Sequence, residues 1–387
     1  MTAKELSEQY EQYVIGLRRE FHSHPELSCQ EEHTSARIAA ELRRSGIPYE
    51  IVGDRSVVGL VDTGRPGKAL VLRADFDALP LTEQTDVPWK STVPGVMHAC
   101  GHDAHAACLL GTARALETLK RELSGRVYLC FQIGEEAGAG AHELVDYLQR
   151  RGDVSGAVGM HVAGNLEPGT AELRPGARLA GLTVFSIEIH GVGGHGARPD
   201  LAVDPIKAAV AVYQRLISIP VNEHSLFDTC VVSPCCLQAG SRYNIIPESA
   251  HLEGTIRFYK PGDGDRLLEQ IRRVCALTCA AYGCTAEVTG AAHVPYPLVN
   301  DPAATAVGRA VAQQIGLTLI DDLDPGAGSD NFAEFLAAFP GFYLNLGAHS
   351  ARPGTSGNHH NPTFDLDESV LKKGMEFFLT YAQQFLG

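Results

Sequence analysis

Apolar residues recur at helical spacing over residues 3–21 and again over 34–45, where Gly46 and Pro48 stop the pattern. Short β-rich runs follow: KALVLRAD at 68–75, RVYLCFQIG at 126–134 and GAVGMHV at 156–162. Helical patterns at 102–122 and 140–150 lie among them. Strands alternating with helices predict an α/β fold, a mostly parallel sheet flanked by helices. From Leu182 the pattern changes to a strand (182–190), a helix (205–219), two strands (229–238, 250–259), a helix (263–282) and a strand (284–290). That β-α-β-β-α-β order is ferredoxin-like, so 182–295 is expected to be an inserted α+β domain. DPAATAVGRAVAQQIG then returns to a helix and GFYLNLG (341–347) to a buried strand. DLDESVLKKGMEFFLTYAQQFL closes the chain as a helix with acidic caps at Asp365 and Asp367. The first domain is thus expected to be discontinuous, 1–181 with 296–387.

Composition narrows the function. A chain of 387 residues exceeds the size at which one core keeps growing, which agrees with two domains. The formal charge of −14 repels phosphate backbones, so a small-molecule ligand is expected rather than nucleic acid. The N-terminus has the pattern of an acidic amphipathic helix without a signal-peptide core, and no run of eighteen apolar residues follows, so no membrane association and a cytoplasmic location are expected. Ten cysteines in a chain of this size suit free thiols in a reducing compartment. Cys275, Cys279 and Cys284 match no zinc-knuckle spacing and are expected to be buried and structural, with the same reading for Cys235 and Cys236.

In an open parallel sheet, ligands gather beyond the carboxyl ends of the strands. Here those ends carry Asp75 and Asp77 of RADFDALP, Glu135 and Glu136 of GEEAGAGA, His161 of GMHV, and His359 and His360 of SGNHHNP, while MHACGHDAH adds Cys100 and His102 before a helix. Each has an ordinary reading: a strand-end histidine is often a satisfied structural residue, and paired glutamates often a solvated face. Adjacent carboxylates between an apolar strand and a glycine-rich turn repel and resist burial, a cost that divalent cations remove. Cys, His, Glu, His and His suit zinc, with manganese, cobalt or nickel also open, and five ligands suit two ions sharing a bridge better than one tetrahedral ion.

The segments RREFHSHPELSCQE, RADFDALP, MHACGHDAH, GEEAGAGA, GMHV, GGHGARP, NIIP and HHNPTFDLDE resemble, in order and spacing, the dinuclear metal-dependent amidohydrolases of the aminoacylase and carboxypeptidase G family, in the branch of hippurate hydrolase, N-acyl amino acid hydrolases and auxin-conjugate hydrolases. The resemblance implies that Cys100 bridges two metals and that His102, Glu136, His161 and His360 complete the ligand set. It makes Glu135 the general base, taking a proton from a bridging water and delivering it to the leaving amine. Asp77 would orient a histidine ligand, and Asp75 occupies a position where other branches place a ligating histidine. His98, His105 and His359 are expected to be local structure. The inserted domain would act as lid and dimerisation domain, carrying His195 to stabilise the oxyanion, and Asn244 to the substrate, often across a dimer interface. Arg257 and Arg198 could pair with a substrate carboxylate.

These implications give a metal-dependent hydrolase of N-acyl amino acids, with a carboxypeptidase-type activity close by, working as a homodimer. One departure bears on substrate choice: Ser329-Asp330-Asn331-Phe332 stands where similar sequences carry an acidic SEDF. Two other readings stay open at this level: a Cys100 nucleophile activated by a nearby histidine, and a binding relative that has lost catalysis.

Overall fold

The computed structural model describes residues 1–225 and 227–387. By compactness they divide into two units, Met1–Gly176 with Val299–Asp324 and Glu334–Gly387, and Ala177–Leu298 with Pro325–Ala333. The second unit takes in the segment 325–333, which the sequence pattern leaves in the first.

The first unit is built on an eight-stranded sheet in the order 49–52, 56–62, 126–132, 69–75, 154–163, 341–347, 170–172, 318–320. Its centre is parallel: Ala69–Asp75 lies between Arg126–Gln132 and Val154–Ala163, and Gly341–Gly347 pairs with the latter. Every residue of Ala69–Asp75 is buried, as a central strand covered on both faces requires. The outer strands Tyr49–Val52, Ser56–Asp62 and Thr170–Glu172 join by antiparallel pairing, and the sequence reading missed them because they are short or lie at the sheet's margin. Helix His102–Leu119 is buried along most of its length and packs against Ala3–Ser23 and Leu371–Leu386. Small residues permit this: a Cβ on Gly111 would fall 2.3 Å from Val14 Cγ2 and 2.8 Å from Met375 Sδ.

Two helix ends differ from expectation. The helix from residue 102 stops at Leu119 and passes into a 3₁₀ turn, Lys120–Glu122. The closing helix begins only at Leu371. Asp367 caps a preceding 3₁₀ turn through Ser369 N–H at 2.9 Å, whereas Asp365 is no cap: it is buried and bound to Arg18 and Arg352.

In the second unit, strands Gly181–His190, Cys230–Ala239, Ser249–Phe258 and Thr285–Val294 form one antiparallel sheet in the order 230–239, 249–258, 181–190, 285–294. With helices Pro205–Asn222 and Asp263–Ala281 packed on it, this is the ferredoxin-like arrangement. Cys275, Cys279 and Cys284 lie in its core. Cys235 is a correction: it is exposed, and Cys236 half-buried, on an outermost strand that bulges between Pro234 and Cys236.

Candidate metal centre

The centre of the first sheet delivers its chemistry at one end. Strand Ala69–Asp75 releases Asp75 and, two residues on, Asp77. Beside it, Gly134 adopts a left-handed φ of +63° and turns the neighbouring strand into the 3₁₀ turn Glu135–Ala137, so both glutamates stand at the strand's carboxyl end. His161 lies on Val154–Ala163, in register with Asn345. His360, itself at φ +58°, is tied by its N–H to Ala99 O at 2.8 Å, next to Cys100. Gly101 permits the last junction: at φ +93° its Cβ position is 2.4 Å from Val162 Cγ2, so only glycine lets Cys100 and His102 flank the helix start this closely.

Asp75, His102 and His105 form one close trio of donor atoms, and two further trios lie beside it, Cys100 with His102 and His161, and Cys100 with Glu136 and His360, the atoms of each within 4.8 Å of one another. Cys100 is common to both. Cys100 Sγ is 3.5 Å from His161 Nε2, and His360 Nε2 is 3.1 Å from Glu136 Oε1. Glu135 forms a further group with His102 and Glu136. All six residues that the sequence assigned to ligation or general base therefore meet at one place within the first unit.

Hydrogen bonds fix which atoms point inward. His102 Nδ1–H donates to Asp77 Oδ1 at 2.9 Å and His161 Nδ1–H to Val162 O at 2.7 Å, leaving the Nε2 of each for a ligand. Asp77 is therefore the residue that orients His102, and its Oδ2 also accepts Glu136 N–H at 3.0 Å. His105 spends both ring nitrogens, Nδ1–H on Asp75 Oδ1 at 2.6 Å and Nε2 accepting Val162 N–H at 3.0 Å. His359 does the same with Cys100 O at 3.2 Å and Gly164 N–H at 3.3 Å. Asp75 in turn is held by the buried Arg73, whose Nε donates to Gln132 Oε1 at 2.9 Å.

Proton affinities at the centre are strongly shifted. Burial pushes the Cys100 thiol far above its ordinary pKa and the His161 imidazole well below its own. Burial also opposes the charged form of His102, but the Asp75 carboxylate and the bonded Asp77 overcome it and hold its pKa well above the ordinary value. His102 Nε2 is buried and, among the described residues, has no hydrogen-bond partner. Unsatisfied buried donors and acceptors are costly, and a soft thiol, three imidazoles and a carboxylate form a donor set that fits borderline divalent ions.

In the second unit, the two-stranded ribbon of Gly194–His195 with Ile245–Ile246 brings His195 beside Asn244, whose carbonyl accepts Gly196 N–H at 2.9 Å. Both side chains are exposed. Arg257 Nη1 donates to Ser329 Oγ at 2.8 Å, so the arginine touches the segment Ser329–Phe332 singled out in the sequence. Arg198 is paired with Asp200 at 2.7 Å. Sequence reasoning assigned nothing to Arg73, Ser28 or Glu31, though each touches the scaffold of the centre. Ser28 Oγ donates to Asp77 Oδ2 at 2.7 Å and Glu31 accepts Gly134 N–H at 2.8 Å. A lone charged residue inside an apolar strand is the signal that could have found Arg73.

The family described as Peptidase family M20/M25/M40 matches residues 71–384. Thermostable carboxypeptidase 2 of Saccharolobus solfataricus is 37% identical over 369 residues, 94% of this chain and 93% of that protein. An N-acetylcysteine deacetylase of Bacillus subtilis is 35% identical over 371 residues, 95% of this chain and 96% of that protein. The crystal structure of the Bacillus subtilis YXEP protein, described as a dinuclear metal-binding peptidase of the M20 family, superposes with a TM-score of 0.84 at 31% identity, over 98% of this chain and 99% of that one.

Proposed function

This chain belongs to peptidase family M20/M25/M40, and on that premise we propose that it hydrolyses the amide bond between an acyl group and an amino acid with two divalent ions bound. The carrying observation is the meeting of two donor trios at Cys100 beside Glu135, a carboxylate left over once five ligands are assigned. Cys100, His102, Glu136, His161 and His360 would hold the ions, zinc or manganese, with cobalt and nickel as alternatives. Such ions polarise a carbonyl and make water acidic enough to attack at neutral pH.

The chain's own residues do the rest. Glu135 takes the proton from the attacking water and returns it to the nitrogen of the departing amine. Asp77 keeps the His102 ring oriented. His195 and Asn244, exposed together on their ribbon, would reach the substrate carbonyl from the inserted unit acting as lid, and Arg257 the substrate carboxylate. A Cys100 nucleophile is disfavoured because its sulfur belongs to both donor trios and would be held by the ions. Relatives named for deacetylation and for carboxypeptidase action both suit an amide next to a free carboxylate.

The same reading makes the enzyme a homodimer. Helix Pro205–Asn222 exposes Ile206, Val210, Tyr213, Ile217 and Val221, a single stripe by their spacing, and the outermost strand Cys230–Ala239 exposes Val231 and Leu237. A second copy of the chain is the proposed cover. No helix among the described residues is long and apolar enough to cross a membrane. Ten free cysteines suit the cytoplasm.

The test is a panel of N-acetyl, N-benzoyl and indole-acetyl amino acids and carboxyl-terminal dipeptides, run separately with manganese, zinc, cobalt and nickel. Glu135→Ala should keep its metal and lose about 10²–10⁴ of turnover. A fully active Glu135→Ala, or hydrolysis of nothing on the panel with any metal, would refute the reading.

A further inference from the structure

Glu31 stands at the N-cap of helix Glu32–Arg44 yet makes no side-chain cap bond to it. That helix start is served by Glu26, whose carboxylate accepts the amides of His33 at 3.0 Å and Thr34 at 2.7 Å. Released from capping, Glu31 turns inward. It is fully buried, its Oε1 accepts Gly134 N–H at 2.8 Å, and its Oε2 has no hydrogen-bond partner among the described residues. Burial raises its pKa to about 7. A buried acid that leaves one oxygen without a hydrogen bond is a poor choice for stability alone.

What that amide belongs to gives the acid a use. Gly134 opens the turn that carries Glu135 and Glu136. The far side of the same turn is also supported from this loop: Ser28 Oγ donates to Asp77 Oδ2 at 2.7 Å, and that oxygen accepts Glu136 N–H at 3.0 Å. The backbone amides on either side of Glu135 thus end on two carboxylates that the loop 28–31 supplies or steadies. The loop presses close, since a Cβ on Gly134 would lie 2.9 Å from Cys29 Sγ, and Cys29 itself takes a left-handed φ of +63°.

We propose that Glu31 is a positioning residue for Glu135: together with the Ser28–Asp77 pair it clamps the Gly134–Glu136 turn so that the general base keeps its aim. Glu136 would be fixed by ligation, whereas the aim of Glu135, which carries no metal in this reading, follows the turn that bears it. The inference rests on the reading of Glu135 as general base.

The experiment is steady-state kinetics and metal content of the manganese-loaded enzyme, on its best panel substrate, for Glu31→Ala, Glu31→Asp, Glu31→Gln and Glu135→Ala. Glu31→Ala and Glu31→Asp, which remove or retract the acceptor, should lose kcat about ten- to a hundredfold with both ions retained. Their KM should stay within about twofold. Glu31→Gln keeps an acceptor oxygen and should stay within about threefold of the parent kcat. Unchanged kcat in Glu31→Asp, loss of metal in step with kcat, or Glu31→Gln as impaired as Glu31→Asp would each overturn the proposal. The Asp and Gln pair decides it even where Glu31→Ala does not fold. Full turnover in Glu135→Ala would bring down the general-base reading itself, whereas a dead Glu135→Ala beside unimpaired Glu31 variants would bring down only the clamp.

Discussion

Gly101→Ala should cost more than a methyl group suggests, because two independent penalties meet at that residue. Its backbone lies at φ +93°, ψ 12°, where a residue with a Cβ pays about 1–2 kcal/mol. The added carbon would also sit 2.4 Å from Val162 Cγ2, inside contact distance on a buried strand, and overpacking of this kind costs about 1–3 kcal/mol. The sum, about 2–5 kcal/mol, corresponds to a drop of roughly 10 °C in the melting temperature of a domain this large. Because Cys100 and His102 flank the glycine, relief of the clash moves both ligands, and metal affinity should fall with stability. Thermal melting of the metal-free chain and manganese titration measure the two effects. Adding Val162→Ala removes the clashing methyl but not the backbone strain, so in a double-mutant cycle the pair should show favourable coupling of about 1–3 kcal/mol. A Gly101→Ala variant that melts within a degree of the parent and titrates with the same affinity would refute the argument.

Arg18 is fully buried and bonded to Asp103 at 2.9 Å, so Arg18→Met strands a buried carboxylate and should destabilise the chain by about 3–5 kcal/mol in denaturant unfolding, while a loss under 1 kcal/mol would contradict this. Acid should weaken the same region from two sides. Burial holds His98 at about 4, against 6.5 ordinarily, so its contribution is complete above pH 6.5 and about 3 kcal/mol is lost as pH falls to 4. Asp103 resists burial through Arg18 and His22 and stays far below the usual carboxylate range, so its contribution is lost at still lower pH. A flat stability profile between pH 7 and 4 would contradict the assignment. Ile217→Glu, placed in the middle of the exposed apolar stripe of helix Pro205–Asn222, should shift the sedimenting species from dimer to monomer, and an unchanged dimer would move the interface elsewhere.

The sequence carried the site further than it carried the fold's margins. Candidate ligands stand out by residue type near strand ends, where an open sheet gathers its ligands, and the parallel centre by unbroken apolar runs such as ALVL, which burial on two faces requires. Strands of three or four residues such as Thr170–Glu172 and Thr318–Ile320 leave no period to detect. Hydrogen-bond supports were hidden for a different reason. Glu31 merely precedes a helix in the sequence, and only the fold shows that Glu26 serves the helix start and leaves Glu31 to turn inward. His105 and His359, expected to be local structure, each spend both ring nitrogens on neighbours, a detail that residue type alone does not show. Asp365 reads as a cap from its local sequence, yet a residue 347 positions away, Arg18, claims it.

Anomalous scattering from crystals of the manganese-loaded protein tests the central claim most directly. Two peaks about 3.5–4 Å apart are expected, sharing Cys100 Sγ, one completed by His102 and His161 and the other by Glu136 and His360. A single peak, or manganese bound away from Cys100 in a crystal of active enzyme, would contradict the account.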